Sequence, residues 1–166
     1  MGTRLDISIN EKGLQSAIRE INDVAATLQR ISPRMARSVR GRALRVGINA
    51  EKALKRAGQA VAQAVVKFTP VDTGQARANW RAFIQQPLPQ FAPQLGKTDR
   101  NGSATIEEMK SLIGSSRLKP GQTIWISNVL PYIEKLENGY SLQAPGGMTT
   151  MAIQAGMKEL RNAKVL

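Results

Sequence analysis

Apolar residues follow a helical spacing through most of the first 68 positions. Steps of three and four between them keep one stripe of a helix facing a core. Ser32 followed by Pro33 is a typical helix start, and Pro70 predicts a stop. The pattern therefore predicts one helix from Pro33 to Phe68, roughly 54 Å long if it is unbroken. Its stripe comprises Met35, Val39, Ala43, Val46, Ala50, Leu54, Ala57, Val61, Ala64 and Phe68.

Three glycines interrupt this predicted helix, Gly41, Gly47 and Gly58. Each costs about 1 kcal/mol relative to alanine and is a position where the helix could bend. A shorter amphipathic helix is predicted upstream, and the small side chains of the long helix favour its packing back against it. Its apolar positions are Leu14, Ile18, Ile21, Ala25 and Leu28. Before it, the alternation of Leu5, Ile7 and Ile9 predicts a strand.

Beyond Trp80 the pattern is mixed. Alternation predicts strands at "WRAFIQ" (80–85) and, after a "KPG" turn, at "QTIWIS" (122–127) with Ile124 and Ile126 inward. Short helices are predicted at 104–113 and from about Leu130 to Asn138, while 148–160 is open between strand and helix, with helix favoured. Prolines crowd into 86–103, which predicts a long exposed loop or a partly disordered segment.

These elements predict a single α+β domain over residues 1–166. Long N-terminal helices, at about 11–68, would pack on a small, mainly antiparallel sheet with additional short helices, at about 69–166. The proline-rich loop 86–103 lies within this second part.

Composition limits the chemistry available. The chain has no cysteine and no histidine, which excludes disulfides, thiolate nucleophiles, imidazole bases and the usual zinc-ligand sets. We therefore expect no enzymatic activity, no cofactor and no metal. The sequence contains no run of 18 apolar residues, and its start has no apolar signal core, so we expect a protein that does not cross a membrane.

The triplet Asp72-Thr73-Gly74 matches the catalytic loop of aspartic proteases. That chemistry needs two carboxylates about 3 Å apart, whereas the triplet occurs once and follows a basic helix. The favoured interpretation is a structural turn: Pro70 stops the helix, Asp72 and Thr73 bind backbone amides, and Gly74 supplies an unusual backbone angle.

Two other patterns are weaker. "GKT" (96–98) resembles the end of a phosphate-binding loop, but Phe91 stands where a glycine is required. Glu134 and Glu137 share a helical face and could form a carboxylate pair. A solvated or subunit-facing edge is the favoured interpretation, because no histidine or further acid lies nearby.

Positive charge is concentrated on the long helix. The chain has 24 basic and 12 acidic side chains, a net charge of +12, and residues 30–67 hold ten basic side chains against Glu51 alone. This favours an anionic partner. We hypothesise that some of the arginines approach DNA phosphates, without base reading, or an acidic partner surface; a solvated helix face is the alternative. They are Arg30, Arg34, Arg37, Arg40, Arg42 and Arg45.

Two blocks, "TPVDTGQARANW" (69–80) and "ISNVLPYIEKLENGYSLQAPGGM" (126–148), resemble the neck or tail-completion proteins of tailed bacteriophages. The matching positions in the first block are Thr69 to Gly74, Arg77 and Trp80. In the second block they are Asn128, Pro131, Tyr132, Leu136, Glu137, Gly139, Tyr140, Ser141, Gln143 to Pro145, Gly147 and Met148. The N-terminal half has no comparable signature, and the insert from Gln86 to Ser103 departs from shorter members.

The resemblance implies a structural virion protein of the neck or tail, present in the host cytoplasm during assembly. It would form a ring at the head–tail junction, with a hexamer favoured and a dodecamer possible. Implied partners are other copies of itself, the head connector or stopper, the tail terminator or tail tube, and the packaged DNA without sequence specificity. A ring needs two different contact patches on each subunit, and we expect "LENGYSLQAPGG" (136–147) and the proline-rich loop to supply them. The alternative is a general basic nucleic-acid-binding protein.

Overall fold

The computed structural model describes residues 3–7, 11–84, 90–118 and 122–163. It contains an antiparallel sheet of three strands in the order β1-β3-β2, which confirms the predicted α+β class. The elements in chain order are β1 (Thr3–Ile7), α1 (Glu11–Gln29), α2 (Pro33–Phe68), α3 (Gln75–Ala78), β2 (Arg81–Phe83), α4 (Ser103–Ser115), β3 (Ile124–Asn128), α5 (Ile133–Glu137) and α6 (Thr149–Asn162).

The long helix α2 is continuous over its predicted range. The Ser32 side chain accepts a hydrogen bond from the Met35 amide at 3.5 Å, and the Thr69 amide donates back to the carbonyls of Val65 and Val66. None of the three glycines ends the helix. The predicted stripe is too long, however: Met35 and Phe68 are 55% and 41% exposed.

The core lies on the second half of α2. Gly58 allows α2 to lie directly against β3, since a Cβ there would be 2.7 Å from the Ile124 side chain. Gly156 similarly brings α6 against Val61. Trp80, Ile113, Leu130, Ile133 and Met148 are fully buried in this core.

The first half of α2 packs chiefly against α1, and together they form what we call the helical arm, α1 plus α2 up to Ala50. Its buried side chains are mostly small: Ala25, Ala36, Ala43, Val46 and Ala50. Several larger apolar residues of the arm remain exposed, among them Val24, Leu44 and Ile48. The arm therefore has little core of its own.

The remaining elements follow the predictions closely. α4, α5 and α6 are helices and β3 is a strand with Ile124 and Ile126 buried. β2 and α5 are shorter than predicted, and α5 begins at Ile133 instead of near Leu130. Residues 90–102 form no helix or strand. The predicted "KPG" turn, Ile9 of the first strand and residues 85–89 (the end of the second predicted strand and the start of the proline-rich loop) lie outside the described residues. Within the described part of the chain, no helix is both long and apolar enough to cross a bilayer.

Candidate functional site

The turn after α2 is determined by Gly74 and Thr73. Gly74 has φ +89°, and a Cβ there would be 2.6 Å from the Arg100 amide nitrogen, so two independent constraints require glycine. The Thr73 hydroxyl accepts a hydrogen bond from the Gln75 amide at 3.3 Å. The exposed Asp72 carboxylate makes no hydrogen bond or ion pair with any described residue. The prediction that Asp72 binds a backbone amide is therefore wrong, while the same prediction for Thr73 is confirmed.

Thr69, Arg77 and Trp80 satisfy the C-terminus of α2. The buried Trp80 indole donates to the Thr69 hydroxyl at 2.8 Å, and that hydroxyl donates to the Val65 carbonyl at 2.6 Å. The Arg77 guanidinium donates to the carbonyls of Thr69, Lys67 and Arg100 at 2.9, 3.2 and 2.7 Å. The last carbonyls of a helix lack intrahelical partners, so these side chains act as a cap. Trp80 is thus a core residue.

Asn128 and Tyr132 join the second sequence block to the first. The fully buried Asn128 amide donates to the Ala76 carbonyl at 2.8 Å and accepts from the Leu130 amide at 3.1 Å. The Tyr132 hydroxyl donates to the Gln75 side-chain oxygen at 2.8 Å. Pro131, between them, is exposed. Residues that are about fifty positions apart in sequence therefore form one continuous unit.

Glu137 caps α6. Its carboxylate accepts from the Met148 amide at 3.0 Å and from the amide and hydroxyl of Thr149. A carboxylate at a helix N-terminus is favoured by both the free amides and the helix dipole. The expectation of a solvated or subunit-facing edge is therefore wrong for Glu137, whereas Glu134 is exposed.

Gly139 and Gly147 shape the loop between α5 and α6. They have φ of +82° and +78°, and a Cβ at either would contact a backbone carbonyl, that of Pro145 or that of Glu137. The loop docks on the turn through Gln143, whose side chain accepts from the Val71 amide at 2.9 Å and donates to the Val71 carbonyl at 3.1 Å. We call residues 138–147 the capped loop.

A cleft of about 480 Å³ lies between the turn and the capped loop. Its lining includes both tyrosines of the chain, Tyr132 and Tyr140, and Asp72 is its one charged side chain. Desolvation, and then the nearby charge of Asp72, raise the pKa of Tyr132 above its ordinary 10.0. Tyr140 is 80% exposed and Leu142 is fully exposed. Ser141 also lines the cleft, and its hydroxyl accepts from the Gln143 amide at 3.3 Å.

The six arginines of the hypothesised charged face are all exposed on the helical arm or at its tip, where Arg30 lies. Helical spacing places Arg34, Arg37 and Arg45 opposite the buried alanines of α2. Arg40 and Arg42 lie nearer to α1 and line shallow grooves against it, and the Arg45 side chain lines the same groove as Arg42. The ion pairs among the described residues are Lys55–Glu51 at 2.9 Å and Lys97–Glu108 at 3.0 Å, so none of these arginines is paired there.

Asp99, in the proline-rich loop, is a residue that sequence reasoning missed. Its carboxylate accepts from the Gly102 amide and from the amide and hydroxyl of Thr105, each at 2.9 Å, and so caps α4. Its own amide donates to the Gly74 carbonyl at 3.1 Å. An aspartate shortly before a predicted helix with a threonine in its first turn was the available signal.

The loop is attached to the turn at a second point. The Asn79 side chain accepts from the Gln94 amide at 2.7 Å and donates to the Gln94 carbonyl at 3.0 Å, and the Gln75 side chain donates to the Leu95 carbonyl. The described part of the proline-rich loop is therefore fixed against the turn.

The cleft contains few groups that could take part in catalysis or bind a metal. No other acidic residue lines the cleft beside Asp72, and within the described residues no group of carboxylates could hold a metal ion. Comparison of the chain with known protein families, characterised proteins and solved structures gives no match. The resemblance to phage neck proteins therefore depends on the two sequence blocks alone.

Proposed function

We propose that this protein is a non-enzymatic structural component of a tailed-bacteriophage virion, forming a ring at the head–tail junction. The observation that carries the proposal is the meeting of the two resembling blocks in one unit. Positions shared with the neck proteins have definite structural roles here: Gly74, Gly139 and Gly147 set backbone angles, while Asn128 and Glu137 bind amides and carbonyls. Motifs whose residues set backbone angles and bind backbone groups maintain the shape of the surface that they form.

The absence of enzymatic activity is part of the same proposal. A protease of the aspartic type shares one proton between two close carboxylates, and the lining of the cleft supplies Asp72 alone. We expect Asp72→Asn to leave any peptidase activity of the purified protein unchanged at the background level. A cleavage that this substitution abolished would contradict the proposal.

Ring formation requires two different surfaces on each subunit that complement each other. The described surfaces with exposed apolar side chains include the capped loop with Tyr140 and Leu142 and the helical arm with Val24 and Leu44, and α6 also exposes several apolar residues. We assign the ring contact to the first two. A hexamer is favoured and a dodecamer is possible. The ring would contact the head connector or stopper on one side and the tail terminator or tail tube on the other.

Two measurements test this function. Size-exclusion chromatography with light scattering on the purified chain should give a closed oligomer at high protein concentration, visible as rings by negative-stain microscopy. Labelling the chain in intact phage particles should place it at the neck. A chain that is missing from purified particles, or that lies inside the capsid, would overturn the proposal.

A general basic nucleic-acid-binding protein is the second candidate, and the arginines of the arm, which form no ion pair with a described residue, favour it. Phosphate contacts release counterions, so binding should weaken steeply with salt. Filter binding with duplex DNA at low and moderate salt separates the candidates. Tight binding by a monomer that never assembles would favour this candidate, whereas a neck ring requires only weak, sequence-independent affinity.

The variant Arg34→Gln/Arg37→Gln/Arg45→Gln tests the phosphate contacts directly. It should reduce the slope of log affinity against log salt concentration by roughly 2 to 3 if these side chains contact phosphates.

A further inference from the structure

The cleft between the turn and the capped loop has the chemistry of a site for a cationic side chain. Asp72 lies in it with no partner among the described residues, and no basic residue lines it. Two tyrosine rings lie close by, in a chain with seven aromatic residues in all. A carboxylate beside aromatic faces suits a guanidinium, which can pair with the first and stack on the second.

Asp72 shares its lack of a hydrogen-bond or ion-pair partner among the described residues with the exposed Asp23, Glu107 and Glu134, and it differs from them in lining the cleft. Other acids have partners. Glu51 and Glu108 pair with lysines, whereas Asp99 and Glu137 accept hydrogen bonds from helix N-termini. In a protein of net charge +12 an acidic side chain has many potential intramolecular partners. The position of Asp72 within a concave surface therefore leaves it available to a partner molecule.

The rim of the cleft has the character of a protein contact surface. Tyr140 and Leu142 project from the capped loop and are exposed. Glu137, Gly139 and Gly147 fix the path of this loop, so the fold itself holds the two side chains at the surface. Exposed apolar side chains on a rigid loop mark interaction sites, and tyrosine and arginine are enriched where binding energy concentrates.

The helical arm carries arginines that form no ion pair with any described residue. Arg34 and Arg37 lie on its outer side, Arg45 lines the groove against α1, and Leu44 and Ile48 are exposed on the same helix. Along a continuous α2 these arginines are roughly 35 to 50 Å from the end of the helix where the cleft begins. An arm therefore cannot reach the cleft of its own chain, but it can reach that of another copy.

We propose that the cleft of one copy binds an exposed arginine of the helical arm of the next copy, chosen from Arg34, Arg37 and Arg45. The inference rests on the proposed ring and specifies its subunit contact. Because the cleft and the arm are different surfaces, the contact is heterologous and repeats from copy to copy until the ring closes.

Charge reversal tests the pairing. Asp72→Arg should raise the protein concentration needed for assembly by about tenfold or more, because it places like charges together in the contact. Asp72 makes no hydrogen bond or ion pair with a described residue, so the variant should fold, which circular dichroism checks. Glu107→Arg, the same charge change on the exposed face of α4, is the matched control and should assemble normally. Restoring assembly by combining Asp72→Arg with Arg34→Asp, Arg37→Asp or Arg45→Asp would identify the arginine.

The natural absence of cysteine gives a second test. Leu142→Cys and Ser38→Cys, introduced together, should give disulfide-linked species larger than dimers, whereas each alone should give dimers at most. A ladder that stops at the dimer would contradict a head-to-tail contact.

The outcomes for the contact and for the function are separable. Normal assembly of Asp72→Arg would overturn the contact while leaving the ring in place. A wild-type chain that stays monomeric at every concentration would overturn a contact between copies, and its location in the particle would still test the neck function.

Discussion

At the scale of single residues, the Asp-Thr-Gly turn shows which structural features could be predicted from the sequence and which could not. The left-handed backbone of Gly74 was predictable, since glycine after Asp and Thr is a common turn. The close approach of Arg100 was not, because that residue arrives from a loop 26 positions later. The same limit explains why Asp72 and Thr73 were both predicted to bind backbone amides although only Thr73 does: both residue types accept backbone hydrogen bonds, and only the three-dimensional path of the chain selects between them.

Gly74→Ala should therefore destabilise the protein strongly. Alanine must adopt a positive φ, and its Cβ would collide with the backbone of Asp99 and Arg100, which cannot move aside as a side chain could. We expect the free energy of unfolding, measured by urea denaturation, to fall by about 2 kcal/mol or more.

The matched control is Gly41→Ala, within α2 and with open space around its Cα. Alanine should stabilise a helix interior there by up to about 1 kcal/mol. Equal stability of the two variants would show that the turn is not constrained as described.

At the scale of elements, the ranges of the helices were more predictable than the side chains that cap them. α2 was predictable from residue 33 to 68 because its start, stop and stripe are all local signals. The caps of α4 and α6 were both missed. Asp99 lies four residues before its helix and left a local signal, whereas Glu137 lies twelve residues before its helix and left none. Glu134 made Glu137 harder to recognise, because the two residues have the same chemistry although only Glu137 caps a helix and Glu134 is exposed.

Glu137→Ala should destabilise α6 and the capped loop. The substitution removes the acceptor for the amides of Met148 and Thr149, which then lack a charged partner. We expect a loss of about 1 to 2 kcal/mol in the free energy of unfolding and faster amide exchange in residues 138–150. Glu134→Ala, an exposed position one turn earlier, is the control and should change stability by no more than about 0.5 kcal/mol. A similar loss in both variants would argue against the cap.

Asp99 makes stability dependent on pH. Burial by itself would raise the pKa of this carboxyl, but hydrogen bonds from Thr105, Gly102 and Ala104 outweigh it and hold the pKa below the ordinary 3.8. A carboxyl with a lowered folded-state pKa contributes stability above its unfolded pKa and loses it as pH falls through the folded value. Asp99→Asn should thus be less stable than wild type at neutral pH, with the difference narrowing below about pH 3.8.

Urea denaturation at a series of pH values measures this narrowing. Glu107→Gln removes one charge from the exposed face of the same helix and serves as the control. If its difference from wild type narrows in the same way, Asp99 is not the source of the effect.

At the scale of the whole molecule, the pattern of apolar residues predicted where α2 ends but not which elements pack against each of its halves. The boundary near residue 68 coincides with the end of α2. The core of the second part, however, is built on the second half of α2, which the pattern of apolar residues alone could not reveal because one stripe runs the full length of the helix. The two halves of α2 thus have different supports: the sheet, α4 and α6 for one, and α1 for the other.

This difference predicts a gradient of local stability along one continuous helix. The arm buries mainly alanines, whereas the second half of α2 buries Leu54, Val61, Val65 and Val66 against the core. Local opening is easiest where few apolar contacts are lost, so amides of residues 33–46 should exchange faster than those of 54–66 in the isolated chain.

Assembly through the arm and the cleft should then change exchange at two separate places. Hydrogen exchange measured by mass spectrometry, below and above the assembly concentration, should show new protection in residues 33–48 and in 138–143, with β3 unchanged because it is already buried. Asp72→Arg should abolish both changes together, since a heterologous contact protects the arm of one copy and the loop of its neighbour in a single event. Protection of the arm alone would mean that it packs against other arms, and protection of neither would mean that the ring closes through a different surface.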